Sequence, residues 1–301
     1  MLSFPVSRSE SAISQLAANK EESMRSVLGI DAAWTLTEPS GVALVVERES
    51  GWQCEAVAPS YNEFIALTSD TPVRWTEKSR AGLAPNVPQL LEAAEHFSGA
   101  PVDLIAIDMP MAKKPIKTRR PADNEVSKEF GTRWCATHSP SEYRPGPMGK
   151  QFTEDFLVAG YPLATSLTLT PQRSLIEVYP HTALLSLLKD RKDDKRVPYK
   201  VGKSRTYWKT EDVPTRIKLL LHELAAIKAG LEMSIRSIPF DLPAHETVTH
   251  FSSLKPYEDA LDALVCAWVG IEHLLGRTSP MGDGDAAIWC PTDVIHGRNK
   301  P

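Results

Sequence analysis

The feature that most restricts how this chain folds is VDLIAID, residues 102–108, a nearly unbroken apolar run closed off by Pro101 and Pro110. Apolar residues at successive positions, rather than at alternate ones, mark a strand buried on both faces of its sheet. Such a strand implies an α/β fold in which helices flank the sheet. The run also ends in a carboxylate, Asp108. A strand that is costly to expose therefore delivers a charged group at its far end.

Two other stretches repeat this pattern. SVLGID (26–31) ends in Asp31, and the apolar stretch SLIEVYPHTALLSLL reads as a strand ending around Glu177 to Tyr179, broken by Pro180 and followed by a helix opening at His181 or Thr182. SGVALVVER (40–48) is joined to the first strand by a turn containing Pro39, Ser40 and Gly41. With GWQCEAVAPS as a third strand it predicts an antiparallel meander. Helices are predicted over Val87–His96, Lys150–Ala159 and Pro214–Gly230, the last with proline at its start and glycine at its end. The segments 111–160 and 190–213 read as insertions in one domain spanning 25–295. The polar stretch 1–24 reads as a disordered extension.

The helix KPYEDALDALVCAWVGIEHLLG is the most informative element. Pro256 suits its first turn and Gly276 its end, and Leu261, Leu264, Val265 and Trp268 form an apolar stripe. On a neighbouring strip Asp259, Ala263, Cys266 and Gly270 align at helical spacing, so small residues predict a close approach to the sheet. That places Asp259 and Asp262 at a partly buried edge. Acids in a first turn also meet the helix dipole favourably, which by itself accounts for Glu258 and Asp259 but less well for Asp262.

The 301 residues are 42% apolar and 24% charged, proportions of an ordinary globular chain. No run approaches the ~18 apolar residues of a membrane span, and the N-terminal residues lack the apolar core of a secretion signal, so a cytoplasmic protein is predicted. The four cysteines are far apart with no C-x-x-C pair, which predicts reduced structural thiols. Net charge is −4, but it is segregated. Residues 113–120 carry Lys113, Lys114, Lys117, Arg119 and Arg120 without an acid, and residues 189–209 carry nine Lys or Arg against three Asp. Such basic paths are expected where a phosphate backbone lies, and solvated loops produce them too.

Several carboxylates gathered in a low-dielectric site repel one another unless a cation neutralises them. Oxygen ligands without His or Cys partners select Mg²⁺ or Mn²⁺ over zinc. Two such ions form an apparatus for phosphodiester hydrolysis, one activating water and the other stabilising the leaving oxygen. A metal-dependent nuclease acting on DNA or RNA is the function this predicts.

The order of strand and acid, meander, strand and acid, then a late helix with D-x-x-D resembles the ribonuclease H-like fold, especially its Holliday-junction-resolvase branch. More closely, GIDAAW, SGVALV, AIDMPM, IEVYPHTAL, YEDALDALVCAW and GDGDAAIWCP together resemble the DUF 429 family over residues 25–292. That family is regarded as predicted nucleases of this fold. The resemblance implies a mixed five-stranded sheet whose first three strands form the meander. It also implies Asp31 as the central metal-bridging acid, Asp108 as the acid of the fourth strand, and Asp262 with Asp259 as the catalytic acids of the last helix. Asp108 is one methylene shorter than the glutamate common at its place in the resolvase branch. Glu177 falls on no standard position of the wider fold, and is either a peripheral metal ligand or a group bound to nearby backbone amides.

Lys113, Lys114, Arg119 and Arg120 are candidate phosphate contacts, and His138 and His181 candidate proton shuttles beside the acids. Tyr199, Tyr207 and Trp208 interleave with the second basic stretch, where base stacking or plain packing would suit them. HETVTH (245–250) separates its histidines by five residues rather than the four of a helical zinc site. Two other functional readings compete. One is a non-catalytic binding protein that keeps the fold and its acids; the other is an actin-like ATPase or sugar kinase, which needs a second glycine-rich phosphate hairpin that the sequence lacks.

Overall fold

The alternation that makes a strand two-sided is visible at once in a computed structural model, which describes residues 24–75, 82–168 and 173–296. The predicted N-terminal extension lies outside these residues except for Met24. Strands β1 (Ser26–Asp31), β2 (Gly41–Arg48) and β3 (Gly51–Ala58) form the antiparallel meander. Strand β4 (Leu104–Ile107) runs parallel to β1, and β5 (Ser174–Val178) runs parallel to β4. The registers Ile30↔Ile107 and Ile107↔Glu177 bring the carboxyl ends of three adjacent parallel strands level.

The sheet has seven strands rather than the predicted five. A hairpin of β6 (Thr278–Gly282) and β7 (Ala287–Pro291) extends it, with β7 parallel to β5, in the order β3-β2-β1-β4-β5-β7-β6. The sequence signal for β6 is weak because TSPMG is half-buried throughout and contains Pro280, a residue tolerated at a sheet edge.

Nine helices follow from the described residues: α1 (Tyr61–Ala66), α2 (Val87–Ser98), α3 (Pro121–Phe130), α4 (Pro147–Val158), α5 (Pro180–Leu187), α6 (Ser204–Tyr207), α7 (Val213–Glu232), α8 (Lys255–Leu274) and α9 (Thr292–His296). Leu28, Ile30, Leu44, Ile105 and Ile107 face one layer, where Leu90 and Ala94 of α2 and Phe152 and Phe156 of α4 cover them. Val27, Ala43, Val45, Leu104, Ala106 and Ile176 face the other, covered by α5, α7 and α8. The helix α3 lies within the 111–160 insertion, where the sequence predicts no helix before Lys150 because PADNEVSKEF is mostly polar. Asp123 fixes its first turn by accepting from the Arg120 backbone N–H at 2.9 Å.

The expected close approach of α8 to the sheet occurs. A Cβ on Gly29 would stand 2.2 Å from the Ala263 carbonyl oxygen, one on Gly41 2.1 Å from that of Asp259, and one on Gly270 2.4 Å from Val27 Cγ1. Glycines on strand and helix together therefore set the distance at which the α8 carboxylates meet the ends of β1 and β4.

Candidate active site

β1 and β4 are buried as far as Ile30 and Ile107 because both faces are covered; where the covering stops, Asp31 and Asp108 stand half-buried at the mouth. The first two turns of α8 bring Glu258, Asp259 and Asp262, all at most 2% exposed, to the same place. Asp31, Asp108 and Asp259 line one cavity of about 560 Å³, together with Trp34, His138, Arg144, Lys200 and Lys255. A smaller cavity of about 170 Å³ continues from Asp108 and His138 towards Glu177, Tyr179 and His181.

Two lysines that the sequence reading missed enter this cluster. Lys200 Nζ lies 2.5 Å from Asp262 Oδ2 and 3.4 Å from Glu258 Oε1. Lys255 Nζ lies 2.9 Å from Glu258 Oε1 and 2.5 Å from Asp259 Oδ1. The Tyr199 hydroxyl donates to Asp262 Oδ1 at 2.7 Å, and the Val201 backbone N–H donates to Glu258 Oε2 at 2.6 Å. Asp262 and Glu258 are thus engaged at both oxygens. Asp259 is engaged at one only, and its Oδ2 is buried without a partner. Five carboxylates share two ammonium groups, so negative charge is left uncompensated.

The acidities report that imbalance. Burial and then repulsion from Asp262 push Asp31 up to about 7, against the pull of Lys200 and Lys255. Burial pushes Asp259 up to about 8 in spite of Lys255, with Asp31 and Glu258 adding to the rise. Burial and the neighbouring Asp31 raise Asp108 well above the carboxylate range. Glu258 goes the other way: against its burial, Lys255, Lys200 and the Val201 N–H hold it below its ordinary value. The same acids hold Lys200 well above its ordinary value against the opposing effect of burial.

The remaining candidates are placed differently. Glu177 takes both guanidinium ends of Arg120 (2.6 and 2.7 Å) and accepts from the Met111 backbone N–H at 2.9 Å. Arg120 is itself clamped by Asp123 at 2.8 Å. This closed, buried arrangement ties the start of α3 to β5. Arg119 is spent on the Thr137 and Asp123 carbonyls and the Asn124, Ser127, Ser139 and Thr137 side chains. Lys113 lies 3.3 Å from the Thr165 hydroxyl, and neither it nor the exposed Lys114 lines either cavity at the acids.

His181 is buried, and burial together with Arg196, Lys200 and Lys203 drives its pKa well below the ordinary histidine value. Its Nε2 receives the Arg196 guanidinium at 3.2 Å, so Nδ1 carries the proton and meets the Tyr179 hydroxyl at 2.7 Å, which donates onward to the Ala136 carbonyl. His138, by contrast, is exposed and stands edge-on to Trp34 at 6.2 Å.

An all-oxygen donor set with one orphaned buried oxygen is chemistry that fits a hard divalent cation at Asp31, Asp108 and Asp259. Among the described residues no three His, Cys, Asp or Glu side chains already stand in a metal-holding arrangement, and Lys255 shares Asp259 with any such ion. No helix among the described residues is long and apolar enough to cross a membrane. No curated protein and no solved structure matches the chain. A family model does match, over residues 163–286, the stretch that runs from just before β5 through α8 to the β6–β7 turn. That stretch, which supplies Glu258, Asp259, Asp262 and both lysines, is similar to the family described as "Protein of unknown function (DUF429)".

Proposed function

We propose that this protein is a divalent-cation-dependent phosphodiesterase acting on nucleic acid, built on a ribonuclease H-like sheet. The observation that carries the reading is the set of three carboxylates, Asp31, Asp108 and Asp259, left without full compensation at the carboxyl ends of β1 and β4 and the start of α8. The β3-β2-β1-β4-β5 part of the sheet, with its antiparallel meander and two parallel additions, supports the fold assignment.

Mg²⁺ or Mn²⁺ bound there would supply Lewis-acid polarisation of a phosphate oxygen. The chain's own groups account for the rest. Asp31 and Asp259, raised to about 7 and about 8 without a cation, would hold it as carboxylates, so binding releases the protons they otherwise keep near neutral pH. Lys200, held charged by Asp262 and Glu258, places a fixed positive charge at the cavity wall where a phosphate oxygen gains charge. Tyr199 and Val201 keep Asp262 and Glu258 oriented towards that lysine. With Asp262 and Glu177 already engaged by cationic side chains, the uncommitted acids support one cation rather than two.

Calorimetric titration with Mn²⁺ at pH 8, followed by incubation with end-labelled DNA and RNA, tests the reading. A one-site isotherm in the wild type, lost in Asp31→Asn, and EDTA-sensitive release of fragments that Asp108→Asn lacks are expected. Absence of heat in the wild type overturns the metal reading. The commitment of Lys200 and Lys255 to three of the acids would then favour a non-catalytic binding protein whose acid cluster is neutralised by lysines alone.

A further inference from the structure

Arg196, which donates to His181 Nε2, also lines a separate cavity, of about 590 Å³, that the proposed chemistry does not use. Its walls combine the aromatic rings of Trp134, Tyr207 and Trp208 with the cations Arg191, Lys195, Arg196 and Lys203. Arg191 is cancelled by Glu223, at 2.8 Å, and Asp193 is the other acid of the wall. Three cations are left to face one carboxylate.

Arg196 is the decisive residue. Its side chain belongs to a residue only 8% exposed, and it donates to the Trp134 carbonyl at 3.1 Å and to His181 Nε2 at 3.2 Å, both neutral acceptors. No carboxylate pairs with it among the described residues. A buried guanidinium without an anion is costly, and the cost is relieved when an anion enters the cavity it lines. The Tyr207 hydroxyl is buried beside that guanidinium and brings it no carboxylate. Lys203, although exposed, has its pKa held below the ordinary lysine value by partial burial and by repulsion from Arg196 and Lys200, a sign of positive charge in excess.

The aromatic side of the cavity is equally specific. Trp134 is 52% exposed and sits at the end of a short helical turn with φ +63°, the left-handed region that bulky residues seldom adopt. The backbone is held there by its own N–H on the Gly131 carbonyl (3.1 Å) and by the Arg196 bond to its carbonyl. The effect is to hold an indole out into the cavity with Lys195 Nζ 4.8 Å from the ring centre. Tyr199, by contrast, is fully buried on Asp262 and offers no face for stacking.

We infer that this cavity is a nucleotide-binding site, taking a phosphate on Arg196, Lys195 and Lys203 and an unstacked base against Trp134 and Trp208. The ligand is either a free nucleotide or one unit of a single strand whose neighbouring units pass the acidic cleft. The site goes beyond the proposed hydrolysis and is independent of it, because none of its residues contacts Asp31, Asp108 or Asp259.

The test is calorimetry in EDTA at low salt on the full chain, with AMP, inorganic phosphate and a ten-residue oligothymidylate as separate probes. Binding of AMP or the oligonucleotide is expected, weakened at least tenfold by Trp134→Ala and by the exposed double substitution Lys195→Glu/Lys203→Glu. Tighter binding of the oligonucleotide than of AMP identifies a strand as the occupant; equal binding identifies the free nucleotide. Inorganic phosphate binding as tightly as AMP overturns the assignment of a base subsite. Failure of both nucleotide probes to bind, or binding that survives both variants, overturns the proposal as a whole. Since EDTA excludes the metal throughout, neither outcome depends on whether the acids hold a cation.

Discussion

Asp31 costs the metal-free protein stability, and its direction with pH follows from the sign of its shift. Its folded value of about 7 lies above the ~3.9 of an unfolded aspartate, so the protonated form is favoured on folding. That contribution is fully present below about pH 4 and is lost as pH rises through 7. Asp31→Asn is therefore expected to be more stable than the wild type at pH 8 in EDTA, by about 1–3 kcal/mol, and nearly equal at pH 4, as measured by urea unfolding. A wild type that is the more stable at pH 8 would show that the carboxylate is satisfied inside the protein. Lys200 acts in the opposite sense. Lys200→Met leaves Asp262 buried with only the Tyr199 hydroxyl, and a loss of about 3 kcal/mol at pH 8 is expected in the same measurement. The buried pair of Arg120 and Glu177 gives a third case, in which Glu177→Gln should unfold at lower urea while leaving Mn²⁺ binding intact, since both its oxygens face Arg120.

At the scale of elements, the seam between α8 and the sheet controls how the site is assembled. Gly29→Ala and Gly41→Ala drive a methyl group into the Ala263 and Asp259 carbonyls, backbone atoms that move only with the helix. A loss of at least about 2 kcal/mol is expected for each, whereas Gly131→Ala, in a helical conformation with open space around it, should be near neutral. Equal melting of all three variants would show that α8 shifts without cost. The small-residue strip of α8 was legible in the sequence because helical periodicity needs only the helix itself. The positions of α3 and β6 were not, because a polar helix and a proline-bearing edge strand owe their state to neighbours that are remote in the chain.

For the whole molecule, cation binding and folding are linked. Mn²⁺ should raise the melting temperature at pH 8, by about 5 °C at a hundredfold excess over its dissociation constant, and by clearly less at pH 5.5, where Asp31 and Asp259 hold protons that compete with it. An equal rise at both pH values would place the ion elsewhere.

The sequence by itself determined the strands that bring Asp31, Asp108 and Glu177 to their carboxyl ends, the meander, the long helices and the acids of α8. Each of these is a local pattern of apolar spacing and a breaking residue, and local patterns survive without knowledge of distant contacts. Only the tertiary structure decided which acids stay uncompensated. Lys200 and Tyr199 lie about sixty residues from Asp262 in sequence, and Arg120 lies 57 residues from Glu177. Charge balance in a buried site depends on distances that folding alone sets, so the same carboxylates read alike in the chain and differ in the fold.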